Sequence, residues 1–301
     1  MKAILSIGVL LLFGGCSQKD YKSMYYENVN IFAIHLKSFA KIIGILFLVG
    51  CGPNFDGLGE PFINNPIERD AIEGSLDIDE DDLFITKWKT DNEGLSSSNQ
   101  ITILTRKTFS YDYDIDWGDG TINKNVNGSI THTYSIAGIY RVKIARKFPQ
   151  IIATYHQLGE PLRIISIEQW GKIKWKSMYE SFLGCENLVG NFIDTPDLSH
   201  VENMENMFDS AKLFNSDISD WDVSNVKYMS GMFFEAEKFN QNIENWDVSN
   251  VKKMNAMFYN AKSFSNQDLS SWNVSKVKEY TQFSVGWGKD NIEPKWNNIS
   301  R

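Results

Sequence analysis

The chain has 301 residues, 42% apolar and 23% charged, enough apolar material for a core and too much for a disordered chain. With 38 acids against 30 Lys and Arg its formal charge is -8, which argues against a general nucleic-acid binder. Three cysteines, Cys16, Cys51 and Cys185, are too few for a disulfide framework or a four-cysteine zinc site.

Lys2 precedes an apolar run from Ala3 to Phe13, and Gly14-Gly15-Cys16 follows. A charged start, an apolar stretch and small residues before a cysteine read as a secretory signal. The run is too short for a bilayer, which needs ~20 residues. A second such segment follows Lys41: Ile42 to Gly50, closing on Leu48-Val49-Gly50-Cys51, with Met24 as a candidate start. Both segments resemble bacterial lipoprotein signals. The second fits better, because Phe13 stands where that pattern has Leu, Val or Ile. The resemblance implies cleavage before Cys51 or Cys16, acylation of that cysteine, and a lipid anchor holding the protein to a membrane at the bacterial surface. Two adjacent signals point to a misassigned start or two joined reading frames. Residues 1–51 are therefore read as the signal region.

Residues 52–82 hold ten acids against Arg69 alone, so the rest of the chain is nearly neutral. Pro53, Pro61, Pro66 and several glycines interrupt any helix there. Such a segment repels itself and buries little, which predicts a flexible tether.

From Leu83 the texture becomes strand-like. Leu83 to Trp88, Ile101 to Leu104 and Tyr140 to Ile144 are strand candidates. Between them Tyr111, Tyr113, Ile115 and Trp117 alternate with Asp112, Asp114 and Asp116, which predicts a strand ended by the turn Gly118-Asp119-Gly120. The aspartates do not fit a calcium loop, since Gly118 comes one position late. Asp119 is expected to cap its own turn, and His132 to be a hydrogen-bonded turn residue. Trp117-Gly118-Asp119-Gly120-Thr121, His132-Thr133-Tyr134 and Gly138 to Ile144 together resemble the motifs of PKD domains. That resemblance implies an immunoglobulin-like sandwich over 83–149, acting as a spacer or binding module.

Residues 150–301 contain a repeat of 25, 25 and 26 residues, beginning at Val201, Val226 and Val251. Met204, Met207, Phe208, Ala211 and Phe214 recur as Met229, Met232, Phe233, Ala236 and Phe239, then as Met254, Met257, Phe258, Ala261 and Phe264. These spacings trace one helical face and predict a helix of about three turns per unit, with Asn225 and Asn250 as N-caps. Trp221, Trp246 and Trp272 head a second apolar set, with Val223, Val248 and Val274. A unit this short buries its apolar face only by stacking on its neighbours. The expected fold class is thus a mainly β sandwich followed by an α/β solenoid of the leucine-rich-repeat kind, with degenerate units from Trp175 and from Val277 as caps. The segments Phe239-Asn240-Gln241 and Trp246-Asp247-Val248-Ser249-Asn250-Val251 resemble the BspA-type repeats of bacterial surface proteins. That resemblance implies secretion or surface attachment and, for some members, adhesion.

No metalloprotease, nucleophile-elbow, phosphate-loop or zinc spacing occurs, so no enzyme, cofactor or metal site is expected. Asp222 and Asp247 recur with the repeat and read as turn residues, and Cys185 falls in a run of core alanines. Trp221, Trp246 and Trp272 are either core or an exposed aromatic row. With Lys227 and Lys252 they form the candidate binding face. The functional expectation is a non-catalytic surface protein binding an extracellular protein or glycan. The alternatives are a spacer without ligand and a carbohydrate-binding or carbohydrate-active protein.

Overall fold

A computed structural model describes residues 68–69, 76–155 and 158–296. Cys16 and Cys51, with both expected signals and residues 52–67 and 70–75 of the expected tether, lie outside the described residues.

The described strands are, in chain order, β1 (Glu68–Arg69), β2 (Phe84–Lys89), β3 (Gln100–Ile103), β4 (Asp112–Asp116), β5 (Ile122–Val126), β6 (Ile130–Thr133), β7 (Ile139–Lys147), β8 (Thr154–Tyr155), β9 (Leu158–Gly159), β10 (Ile164–Gln169) and β11 (Val189–Gly190). A 3-10 turn spans Glu80–Asp82. The main sheet runs β11-β10-β2-β7-β4-β5, with β1 parallel to the start of β7; β3–β6 and β8–β9 are separate two-stranded sheets. β7 is the spine. It pairs antiparallel with β2 (Phe84 opposite Ile144) and with β4 (Ile115 opposite Ile144). Its Tyr140, Val142 and Ile144 alternate into the core, as period-two patterning demands. β2 is buried on both faces. Phe84 and Trp88 enter the main core, while Ile85 joins Leu76, Leu83 and Ala145 in a smaller cluster behind.

The sheet does not stop at residue 149. β10 pairs antiparallel with β2, and β11 pairs parallel with β10. Pro149 to Ala153 leaves β7 and lies against the first repeat unit. The amide of Lys176 donates to Pro149 O (2.8 Å), that of Ala153 to Ser181 O (3.0 Å), and Gln150 Nε2 to Tyr179 O (2.7 Å). Arg106 adds an ion pair to Glu180 at 2.5 Å and covers the Tyr179 ring. Sheet and repeats share one continuous core.

The expected fold class is overturned. No α-helix occurs among the described residues, and the fold is mainly β strands and turns, not an α/β leucine-rich solenoid. The residues placed on a helical face are indeed buried, Met204, Met207, Phe208, Ala211 and Phe214 among them, but their spacing arises differently. Within one coil, amides donate three residues back: Met207 to Met204 O, Asp209 to Asn206 O, Ala211 to Phe208 O. The intervening amides leave the coil. Met204, Asn206, Phe208 and Ser210 donate to the carbonyls of Tyr228, Ser230, Met232 and Phe234. In an α-helix all these amides would bond within the segment. Two residues at equivalent places in each coil also have left-handed backbones: Asn206 and Ser210 (φ 54° and 59°), Gly231 and Glu235, Ala256 and Asn260, with Asn266 as a third in the last unit. An α-helix has none. The expected caps do other work: Asn250 Nδ2 donates to Ser224 O of the preceding coil.

Stacking brings equivalent side chains together. Phe208, Phe233 and Phe258 lie near-parallel with centroids 5.9 and 5.7 Å apart, and Phe214, Phe239 and Phe264 form a second file. Each file contacts the other within its coil, Phe233 on Phe239 at 3.9 Å. Fully burying such a ring is worth ~1.5–3 kcal/mol, and no single coil supplies the cover.

Candidate binding face

The coil surface repeats as the core does. Just after each buried valine one residue faces outward and lies on the equivalent residue of the preceding coil. Lys227 N donates to Glu202 O (2.8 Å), Lys252 N to Lys227 O (2.8 Å) and Lys278 N to Lys252 O (2.9 Å). Glu202, Lys227, Lys252 and Lys278 therefore form a column, one rung apart, at the ~4.8 Å spacing of paired strands. Lys227 Nζ meets Glu202 at 2.6 Å. Lys252 and Lys278 are exposed, with no carboxylate partner among the described residues. Their backbones stand one rung apart, so the two ammonium groups add positive charge to one strip of the surface. Lys278 was not singled out from the sequence. Extending the 25-residue register by the one extra residue of the last unit finds it.

The next column is Asn203, Tyr228, Lys253 and Glu279, joined by parallel bridges. There Lys253 pairs with Glu279 at 2.8 Å; that hydrogen bond raises the lysine pKa and lowers the carboxyl pKa. Upstream, the Asp222, Asp247 and Asn273 side chains accept from the amides of Ser224, Ser249 and Ser275. The bonds from Ser249 hold Asp247 below the usual carboxylate range. Asp197 does the same for Ser199 and also pairs with Lys174 at 2.5 Å, which lowers it to about 2.

The three tryptophans leave the candidate face. Trp221, Trp246 and Trp272 are only 3–4% exposed. Trp246 Nε1 donates to Ile218 O and Trp272 Nε1 to Ile243 O, each at 3.1 Å, so the indoles are rivets between coils. Trp221 Nε1 is buried without a partner and packs on Trp170 and Phe192. In the 26-residue register that sets Phe182 on Phe208, the residue equivalent to Ile218 one coil earlier is Phe192, partly buried against Trp221. Of the residues named from the sequence, Lys227 and Lys252 remain on the surface.

Other polar groups are accounted for within the fold. Asp119 Oδ1 accepts from Thr121 N, and its Oδ2 meets His132 Nε2 at 2.8 Å. Burial pushes the Asp119 carboxyl up, and the bonds from His132 and Thr121 together more than reverse this. His132 stacks on Trp117 at 4.8 Å, so the pair ties the turn to β6. Burial likewise raises the Cys185 thiol well above its ordinary value, which leaves a small apolar group. Sequence reasoning missed the Glu160–Arg163 pair, only 1% and 2% exposed. The Arg163 guanidinium donates to the carbonyls of Asn92, Ser96, Ser97 and Gln100, and Glu160 accepts from Ser96 N. Nothing local in the sequence marks that long-range clamp. Among the described residues no three His, Cys, Asp or Glu are grouped to hold a metal ion, and no helix is long and apolar enough to cross a membrane.

Residues 176–292, the coil stack, match a family described as "Mycoplasma protein of unknown function, DUF285". No curated protein and no solved structure matches the chain.

Proposed function

With its coil stack similar to a family of unknown function, we propose that the protein is a non-catalytic, lipid-anchored bacterial surface protein. In this reading the stack binds an extracellular protein or glycan that carries negative charge. The resemblance of the repeats to BspA-type surface repeats, and of the Trp117–Tyr134 motifs to PKD domains, belongs to the same proposal. The observation that carries it is the column Lys227, Lys252, Lys278, held in register by backbone hydrogen bonds. A ligand with anionic groups at a similar repeat engages several rungs at once, and its affinity falls as salt screens the charges. Glycan and matrix-protein arrays are the test. Sulfated or phosphorylated glycans, or acidic proteins, should be retained at low salt, and Lys252→Glu with Lys278→Glu should weaken retention by about tenfold or more. Retention unchanged in the double variant would refute the face. Labelling with a radioactive fatty acid tests the anchor: Cys51→Ala should abolish incorporation, or Cys16→Ala if the first signal operates. Label retained in both single variants and in the double variant would refute it.

A further inference from the structure

The coil interfaces obey one rule to the last rung: amides at alternate residues of a coil donate to carbonyls at alternate residues of the next. Met229, Gly231, Phe233 and Glu235 donate to Lys253, Asn255, Met257 and Tyr259; Met254, Ala256, Phe258 and Asn260 donate to Glu279, Thr281, Phe283 and Val285. The final coil keeps the donor backbone, with Gln282 and Gly286 left-handed (φ 59° and 73°) as Ala256 and Asn260 are. Yet the amides of Gln282, Ser284 and Gly286 have no partner among the described residues. They occupy the places of Ala256, Phe258 and Asn260. Gln282 and Gly286 are exposed, as are Val285 and Ile292 nearby. Among the described residues, side chains cover this end: Trp296 stacks on Tyr280 at 4.2 Å and meets Phe283 edge-on, and Glu293 accepts from Ser284 Oγ.

The other end of the stack differs in kind. There the outward groups of the first coil are carbonyls, and Gln150 and Ala153 already occupy those of Tyr179 and Ser181. A second copy of this chain therefore has no free matching row to offer. Two final coils face to face would set donor against donor.

We propose that the final coil is a docking edge for one further coil of the same 25-residue kind, carried on a different polypeptide. The internal interfaces specify the fit. Carbonyls equivalent to those of Ser230, Met232 and Phe234 would accept from Gln282, Ser284 and Gly286; the incoming coil's phenylalanine would fall over Ser284, and its methionine equivalent to Met232 would take the place of Trp296 over Phe283. This edge is independent of the lysine column, which lies along the side of the stack.

Hydrogen–deuterium exchange on the full chain tests the proposal, with a synthetic peptide of residues 226–250 as probe and a scrambled peptide as control. In the free chain the amides of Gln282, Ser284 and Gly286 should exchange ~100-fold faster than those of Ala256, Phe258 and Asn260. The coil peptide should slow them by about tenfold or more, and the scrambled peptide should not. The proposal is overturned by slow exchange of these amides in the free chain or by no slowing with the coil peptide. Equal slowing by the scrambled peptide, or protection by added full chain in place of peptide, also overturns it.

Discussion

In the sheet each strand meets a different neighbour; in the coil stack each coil meets a near-copy of itself. β7 touches β1, β2 and β4 with a separate register for each, and a buried Arg163–Glu160 pair is needed to hold the loop from Asn92 to Gln100. The stack repeats one set of bonds from coil to coil. Irregular construction concentrates stability in single residues. Periodic construction distributes it, so that a side chain matters according to its distance from the ends.

Substitutions sharpen that contrast. The largest effect belongs to Arg163→Ala, which strands the Glu160 carboxylate and leaves the carbonyls of Asn92, Ser96, Ser97 and Gln100 without their shared donor. Denaturant unfolding should show a loss of about 3–5 kcal/mol. Arg163→Lys should not restore it, because an ammonium lacks the planar fork. If Arg163→Ala costs under ~1 kcal/mol, the clamp is not what orders this region.

Phe233→Ala comes next. This ring stacks on Phe208, Phe239 and Phe258, and its loss should cost about 3–4 kcal/mol. Phe283→Ala, in the final coil, should cost roughly half as much, since one side meets only Trp287 and Trp296. Equal losses at the two sites would break the idea that position in the stack sets the cost.

A finer comparison sets Trp246 against Trp221. Trp246→Phe removes the hydrogen bond to Ile218 O as well as volume; Trp221→Phe removes an indole N–H that has no partner. Thermal unfolding should show Trp246→Phe to be the more harmful by about 1 kcal/mol. The smallest expected effect has the opposite sign. Ala256 sits at φ 51°, where glycine is unstrained, so Ala256→Gly should raise stability by up to ~1 kcal/mol. A destabilised Ala256→Gly variant would show that this backbone strain is already relieved elsewhere.

The same contrast explains what could be read from the sequence. The core of the stack was legible because identical residues recur at identical positions, and stacking buries all of them. Its secondary structure was not. A recurrence of three and four residues suits an α-helix, but a ribbon of tight turns, sending alternate amides to the next coil, has it too. The clue was the phase of Gly184, Asn206, Gly231, Asn260 and Gly286, which mark left-handed positions that a helix would not tolerate. In the sheet, the strand around Tyr113 and Ile115 was legible from alternation, which puts Asp114 and Asp116 on the opposite face but does not tell that they are buried there. Both are buried: Asp114 accepts from Asn125 N and Asp116 from Gly118 N. The pairing of β10 with β2 joins residues some eighty positions apart and leaves no local mark. The candidate face was half legible, since lysine periodicity showed in the sequence and tryptophan burial did not.

Pro149 to Ala153 gives the repeat array a direction in time as well as in space. These residues complete the seat for the first coil, and they precede it in the chain. During synthesis the seat can form before Trp175 leaves the ribosome, and each later coil emerges onto a finished rung. Growth from one prepared end spares every coil but the first a nucleation step, so lengthening the array by one unit would leave the slowest event of folding unchanged.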